Sequence, residues 1–125
     1  MAIAASLVIG ALVRFLATLS ATSPVGDGAL FASMISDVRA VDFGLPVFTS
    51  YNGGDIPFAY PPLALLVGAA LPFDALVVLQ WLPPLLATLS IVPVFLIGRR
   101  VGGETAAVAA TLFYALAPFG WYWLV

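Results

Sequence analysis

The groups in this chain that could do chemistry are few and gathered in one place. It has no Cys, no His and no Lys, which excludes thiol and imidazole metal ligands, Ser-His and Cys-His couples, and Schiff bases. Carboxylates, Arg, hydroxyls and amides remain. Four of the six acids, Asp27, Asp37, Asp42 and Asp55, fall between Gly26 and Leu63, against a single basic residue, Arg39. A carboxylate in that segment could take a proton from a hydroxyl as general base, and an Arg or Tyr could meet a phosphate. The candidates are Asp27, in Gly26-Asp27-Gly28-Ala29-Leu30-Phe31, then Arg39, then Tyr60, in Tyr60-Pro61-Pro62-Leu63, and Arg14, alone inside the first apolar block.

Each candidate also has a plainer role. Asp27 directly before an amphipathic stretch is an ordinary helix N-cap, worth about 1 kcal/mol, and the two roles can coexist. Arg14 lies inside an apolar block, where a cation must face other helices or snorkel, so an ion pair with a later helix is expected. Arg39 meets lipid phosphate or simply greets headgroups, and Tyr60 packs at the interface or bonds a phosphate. Asp37 and Asp42 point to different faces of one helix and make a poor metal pair, while Asp55 sits in a turn that favours Asp locally. No metal site is expected from this chain alone. A divalent metal would need a fuller protein.

The elements that must position these groups are hydrophobic. With 63% hydrophobic and 8% charged residues and a mean hydropathy of +1.16, the chain reads as an all-α polytopic membrane protein. A net charge of -2 without a basic cluster excludes nucleic acid as a partner. The block 1–22, about 33 Å as a helix, matches a bilayer core of about 30 Å and reads as an uncleaved span, since it lacks the basic start of a signal peptide. A second span runs over 75–98 and a third over 105–125. The turn 99–104 between them, opening with Arg99-Arg100, belongs on the cytoplasmic side and makes the two spans antiparallel neighbours.

The region 23–74 then forms one external loop. Within it, Leu30, Phe31, Met34, Ile35, Val38 and Val41 recur at helical spacing, which predicts an amphipathic helix on the membrane surface, stopped by Gly44. Residues 45–60 lack period, Pro46 and Pro57 oppose a strand, and Asn52-Gly53-Gly54-Asp55 is a turn signal, so a structured loop is expected. The run from Leu63 to Leu71, between Pro61-Pro62 and Pro72, is only about 14 Å long as a helix and reads as juxtamembrane or re-entrant.

In this order, an Arg in the first span, Gly-Asp-Gly-Ala-Leu-Phe, Tyr-Pro-Pro-Leu and a span ending in Arg-Arg-Val-Gly-Gly, the chain resembles the amino-terminal part of GT-C-fold membrane glycosyltransferases, of the protein O-mannosyltransferase and aminoarabinose transferase type. The resemblance covers essentially the whole chain on short, degenerate motifs. It implies a plasma-membrane enzyme that moves a sugar from a polyprenyl-phosphate-linked donor to an acceptor hydroxyl of a glycan, lipid or protein at the outer face, with inversion. It implies Asp27 as catalytic base, and Arg39, Tyr60 and Arg14 as substrate contacts. Two departures matter: the second acid often following the Asp is Gly28 here, and the Lys that the aminoarabinose branch carries before Pro-Pro-Leu is Tyr60 here, which removes one contact to the lipid phosphate.

A different class of function stays open: a transporter or an assembly subunit whose external loop docks a partner. Transport has little to build on, since Arg14 is the only charge inside a span. The chain is apolar to Val125, with Trp121-Tyr122-Trp123 as an aromatic anchor, and is expected to be the first part of a longer enzyme.

Overall fold

Pro and Gly residues cut the chain into helices. The computed structural model describes residues 2–20, 27–54 and 56–117, so Asp55, Pro118 and Trp121-Tyr122-Trp123 lie outside the described residues. The order is α1 (Ala2–Ser20), α2 (Gly28–Ala40), β1 (Phe48–Thr49), a 3-10 turn (Tyr51–Gly53), β2 (Ile56–Pro57), α3 (Pro62–Ala70), α4 (Ala75–Leu89) and α5 (Ile91–Leu116). The chain is mostly helical and divides into two compact units, Met1–Thr22 with Pro83–Val125, and Ser23–Leu82. The division falls at Pro83-Pro84, inside α4.

In the first unit, α1 packs against α5 through small residues. Ser6, Gly10, Arg14 and Thr18 recur every fourth position on α1 and are all buried, and Ala107, Thr111 and Ala115 do the same on α5. Small side chains let two helices approach closely, as in membrane bundles. The Ser6 and Thr111 hydroxyls are 3.2 Å apart, and a Cβ on Gly10 would lie 3.5 Å from that of Ala115. Both contacts ascend together, so α1 and the end of α5 run parallel.

Residues 75–116 form the one described helical run that is long and apolar enough to cross a membrane; α1 contributes a shorter apolar stretch, Ile3–Leu16. That run is not one rod. Ser90 and Tyr114 would lie about 36 Å apart on a straight helix, yet their hydroxyls are 2.7 Å apart. The chain folds back at Gly103, whose φ of 77° and ψ of -170° suit Gly alone. Gly98 seats the return leg, since a Cβ there would come 2.9 Å from the Ala107 Cα. The expected antiparallel hairpin is present, with its turn at Gly103. Arg99 and Arg100 are therefore helical rather than part of a six-residue link.

The second unit contains the two helices expected within 23–74, α2 and α3. It has its own core of Leu30, Met34, Ile35, Val38, Leu65, Ala69, Ala75 and Val78. The apolar face of α2, expected on a membrane surface, is covered by protein, because α3 lies across it where Gly68 admits Ile35. Helix α2 ends before Gly44. Asp42 takes the left-handed conformation (φ 52°), with Phe43 N–H to the Val38 carbonyl at 2.9 Å and Asp42 N–H to the Arg39 carbonyl at 3.3 Å, the two bonds of a Schellman cap. The turn at 52–54 forms with three positive φ values, and it closes a minimal antiparallel pair, Phe48 with Pro57 and Thr49 with Ile56. Pro57 fits because this two-stranded ribbon has only edges. Asp74 caps α4 by accepting the Leu76 N–H at 2.9 Å.

Candidate functional site

Asp27 stands exposed at the entrance to α2. Its backbone carbonyl accepts the Phe31 N–H at 3.0 Å, which starts the helix, but its carboxylate makes no capping bond. The capping role expected of an Asp here is therefore not taken up by its side chain, and among the described residues the carboxylate has no hydrogen-bond partner. One turn further on, Phe31 meets Tyr60 edge to face, with ring centroids 5.0 Å apart. Asp27 and Tyr60 are brought to the same end of α2.

Arg39 is not with them. Twelve residues along α2, about 18 Å of helix, separate it from Asp27, and its guanidinium is spent on the end of α3. Nε donates to the Ala69 carbonyl at 3.1 Å, and Nη2 to those of Gly68, Leu71 and Phe73 at 3.0, 2.9 and 2.8 Å. The last carbonyls of a helix lack partners and carry its negative pole. Here the next turn supplies only the Leu71 N–H, which reaches the Gly68 carbonyl at 3.3 Å, because Pro72 has no N–H to return. Arg39 therefore clamps α3 to α2; only Nη1 carries no such bond among the described residues.

Arg14 repeats the device in the other unit. It is fully buried, with Nη1 donating to the Gly10 and Ala115 carbonyls at 3.1 and 3.2 Å, Nη2 to the Tyr114 carbonyl at 3.1 Å, and the guanidinium 5.4 Å from the Tyr114 ring centroid. Residue 118 is again a proline, so the Tyr114 carbonyl has no N–H four residues on. The expected ion pair is replaced by carbonyls and an aromatic face. Among the described residues Nε has no hydrogen-bond partner.

Asp37, set aside on sequence as half of a poor metal pair, organises the hairpin. One carboxylate oxygen accepts the Thr49 hydroxyl at 2.7 Å and the Ser50 N–H at 2.8 Å. Burial pushes its pKa up, but hydrogen bonds from Ser50 and Thr49 outweigh this and hold the carboxyl below the ordinary carboxylate value. With Phe48, Pro46 and Gly54 it borders an open concavity of about 360 Å³. No local pattern points to this role, since its partners lie 12 and 13 residues away.

Among the described residues no three carboxylates converge to hold a metal ion. Comparison with protein-family models, with curated proteins and with solved structures gives no match.

Proposed function

We propose that the chain is the amino-terminal module of a membrane glycosyltransferase that transfers a sugar from a polyprenyl-phosphate-linked donor to an acceptor hydroxyl, with Asp27 as general base. The observation that carries this reading is the exposed Asp27 carboxylate, left without a capping bond one helical turn before Phe31, whose ring packs on Tyr60. In the reaction the acceptor oxygen attacks the anomeric carbon as Asp27 takes its proton. The bond from that carbon to the phosphate oxygen breaks, the electron pair leaves with the polyprenyl phosphate, and the configuration inverts. The outward side of α3, with Leu63 73% and Val67 43% exposed, suits an apolar lipid tail. The counter-charge on the departing phosphate falls to groups other than Arg14 and Arg39, which are engaged with carbonyls.

The proposed topology has three spans: α1, the outgoing leg of the hairpin and its returning leg, with 23–74 outside and Arg99-Arg100 on the cytoplasmic side. The parallel run of α1 and the returning leg suits an odd number of crossings between them. A second reading, an assembly subunit, draws on the exposed apolar side chains that follow α2: Val41, Phe43, Leu45, Val47 and Phe48. The two part on one experiment. Asp27→Asn abolishes sugar transfer in the first and leaves a docking function intact in the second, whereas Phe43→Ser with Val47→Ser does the reverse.

A further inference from the structure

We infer that Arg99 and Arg100 form a recognition point for an anionic phospholipid headgroup, with Leu96 and Ile97 receiving its acyl chains. The inference starts from the charge inventory. Of four arginines, Arg14 and Arg39 are committed to helix carbonyls. Arg99 and Arg100 are exposed, and neither has a hydrogen bond or ion pair among the described residues. Among the described residues, the arginines without a hydrogen-bond partner are therefore these two, adjacent in the chain.

Their setting selects the partner. They border an open concavity of about 510 Å³ together with Leu96 and Ile97, which are 58% and 64% exposed. Leu96 lies three and four residues before Arg99 and Arg100, so the cations stand one turn above apolar side chains on the same part of the helix. Free phosphate would use the guanidinium groups and leave the apolar floor bare, and nucleic acid needs more cations than two. A phospholipid uses both parts. Phosphatidylcholine carries its own cation beside its phosphate, whereas phosphatidylglycerol leaves a net anion for the bidentate fork of Arg. The pair also stands in the last turn before the Gly103 break, at the end of an apolar helix, where headgroups lie if that helix crosses a bilayer.

The absence of native Cys allows a direct test in the full chain. A fluorophore on Val101→Cys, a position 84% exposed, reports quenching by lipids that bear a nitroxide high on one acyl chain, in phosphatidylcholine vesicles. Phosphatidylglycerol should be preferred over phosphatidylcholine on the order of ten-fold at low salt, less at high salt. R99Q/R100Q should bring the ratio to one, and R99K/R100K, which keeps charge but not the fork, should retain part of it. Equal quenching by the two lipids in the wild-type background, a preference that survives R99Q/R100Q, or relief of quenching by inorganic phosphate would each overturn the assignment. If R99Q/R100Q does not insert, the lipid ratio and its salt dependence in the Arg-containing chain decide alone.

Discussion

Replacing Arg39 by Met keeps an apolar stem of similar length and removes the guanidinium, so that the carbonyls of Ala69, Leu71 and Phe73 lose its N–H donors and that of Gly68 keeps only the Leu71 N–H at 3.3 Å. Hydrogen bonds to a charged group contribute about 1.5 to 3 kcal/mol each, but four sharing one partly exposed guanidinium do not add, so about 3 kcal/mol is a fair figure for the set. The cost falls on the seating of α3, which opens a route to its buried face. Ala69 is 5% exposed on that face, so Ala69→Cys in the otherwise cysteine-free chain reads the opening by its rate of thiol labelling. With 1.4 kcal/mol per factor of ten, Arg39→Met should accelerate labelling about 150-fold, and Arg39→Lys, one point charge in place of a fork, should fall between. A change below about three-fold would refute the clamp. It would mean that water satisfies those carbonyls and that Arg39 is free to meet an anion after all.

Other consequences follow from the same geometry. Gly98→Leu drives a side chain into the Ala107 backbone 2.9 Å away, so it should destabilise the hairpin by about 2 kcal/mol, seen as a lower thermal midpoint by circular dichroism in detergent. Asp37, with its folded pKa below the ordinary value of about 3.9, stabilises the hairpin fully above that value and loses its contribution as pH falls through the folded pKa. Protection of the Ser50 amide, corrected for intrinsic exchange, should be flat above about pH 5 and decline below about pH 4; Asp37→Asn should remove the dependence, and a decline that persists in that variant would assign it elsewhere.

Sequence carried the elements further than their surroundings. The period of Leu30, Met34, Ile35 and Val38, the prolines around α3 and the turn at 52–54 are local, and each appears where its residues place it. What covers the apolar face of α2 is not local: lipid and α3 are equally apolar, and the pattern that predicts the face cannot tell them apart. The carbonyl partners of the two arginines were hidden for a related reason. A cation in an apolar setting advertises a partner, but which partner depends on the helix end lying opposite. A signal did exist in Pro72 and Pro118, each of which lacks the N–H that a helix would return to the carbonyl four residues before it, a carbonyl to which an Arg donates. The stop at Asp42 rather than Gly44 shows Asp serving the left-handed position that Gly was expected to fill. Asp37 had no such mark.

The most direct test of the functional proposal is the rate of sugar transfer from a polyprenyl-phosphate-linked donor by membranes carrying the intact protein, compared with its Asp27→Asn variant. Asn occupies an N-cap position as well as Asp does, and the Asp27 carboxylate makes no capping bond, so the fold should survive the change, checked by an unaltered thermal midpoint. Loss of the base should lower the transfer rate by about 10² to 10⁴. Transfer by Asp27→Asn within a factor of two of the native rate would contradict the assignment of Asp27 as the group that takes the acceptor's proton.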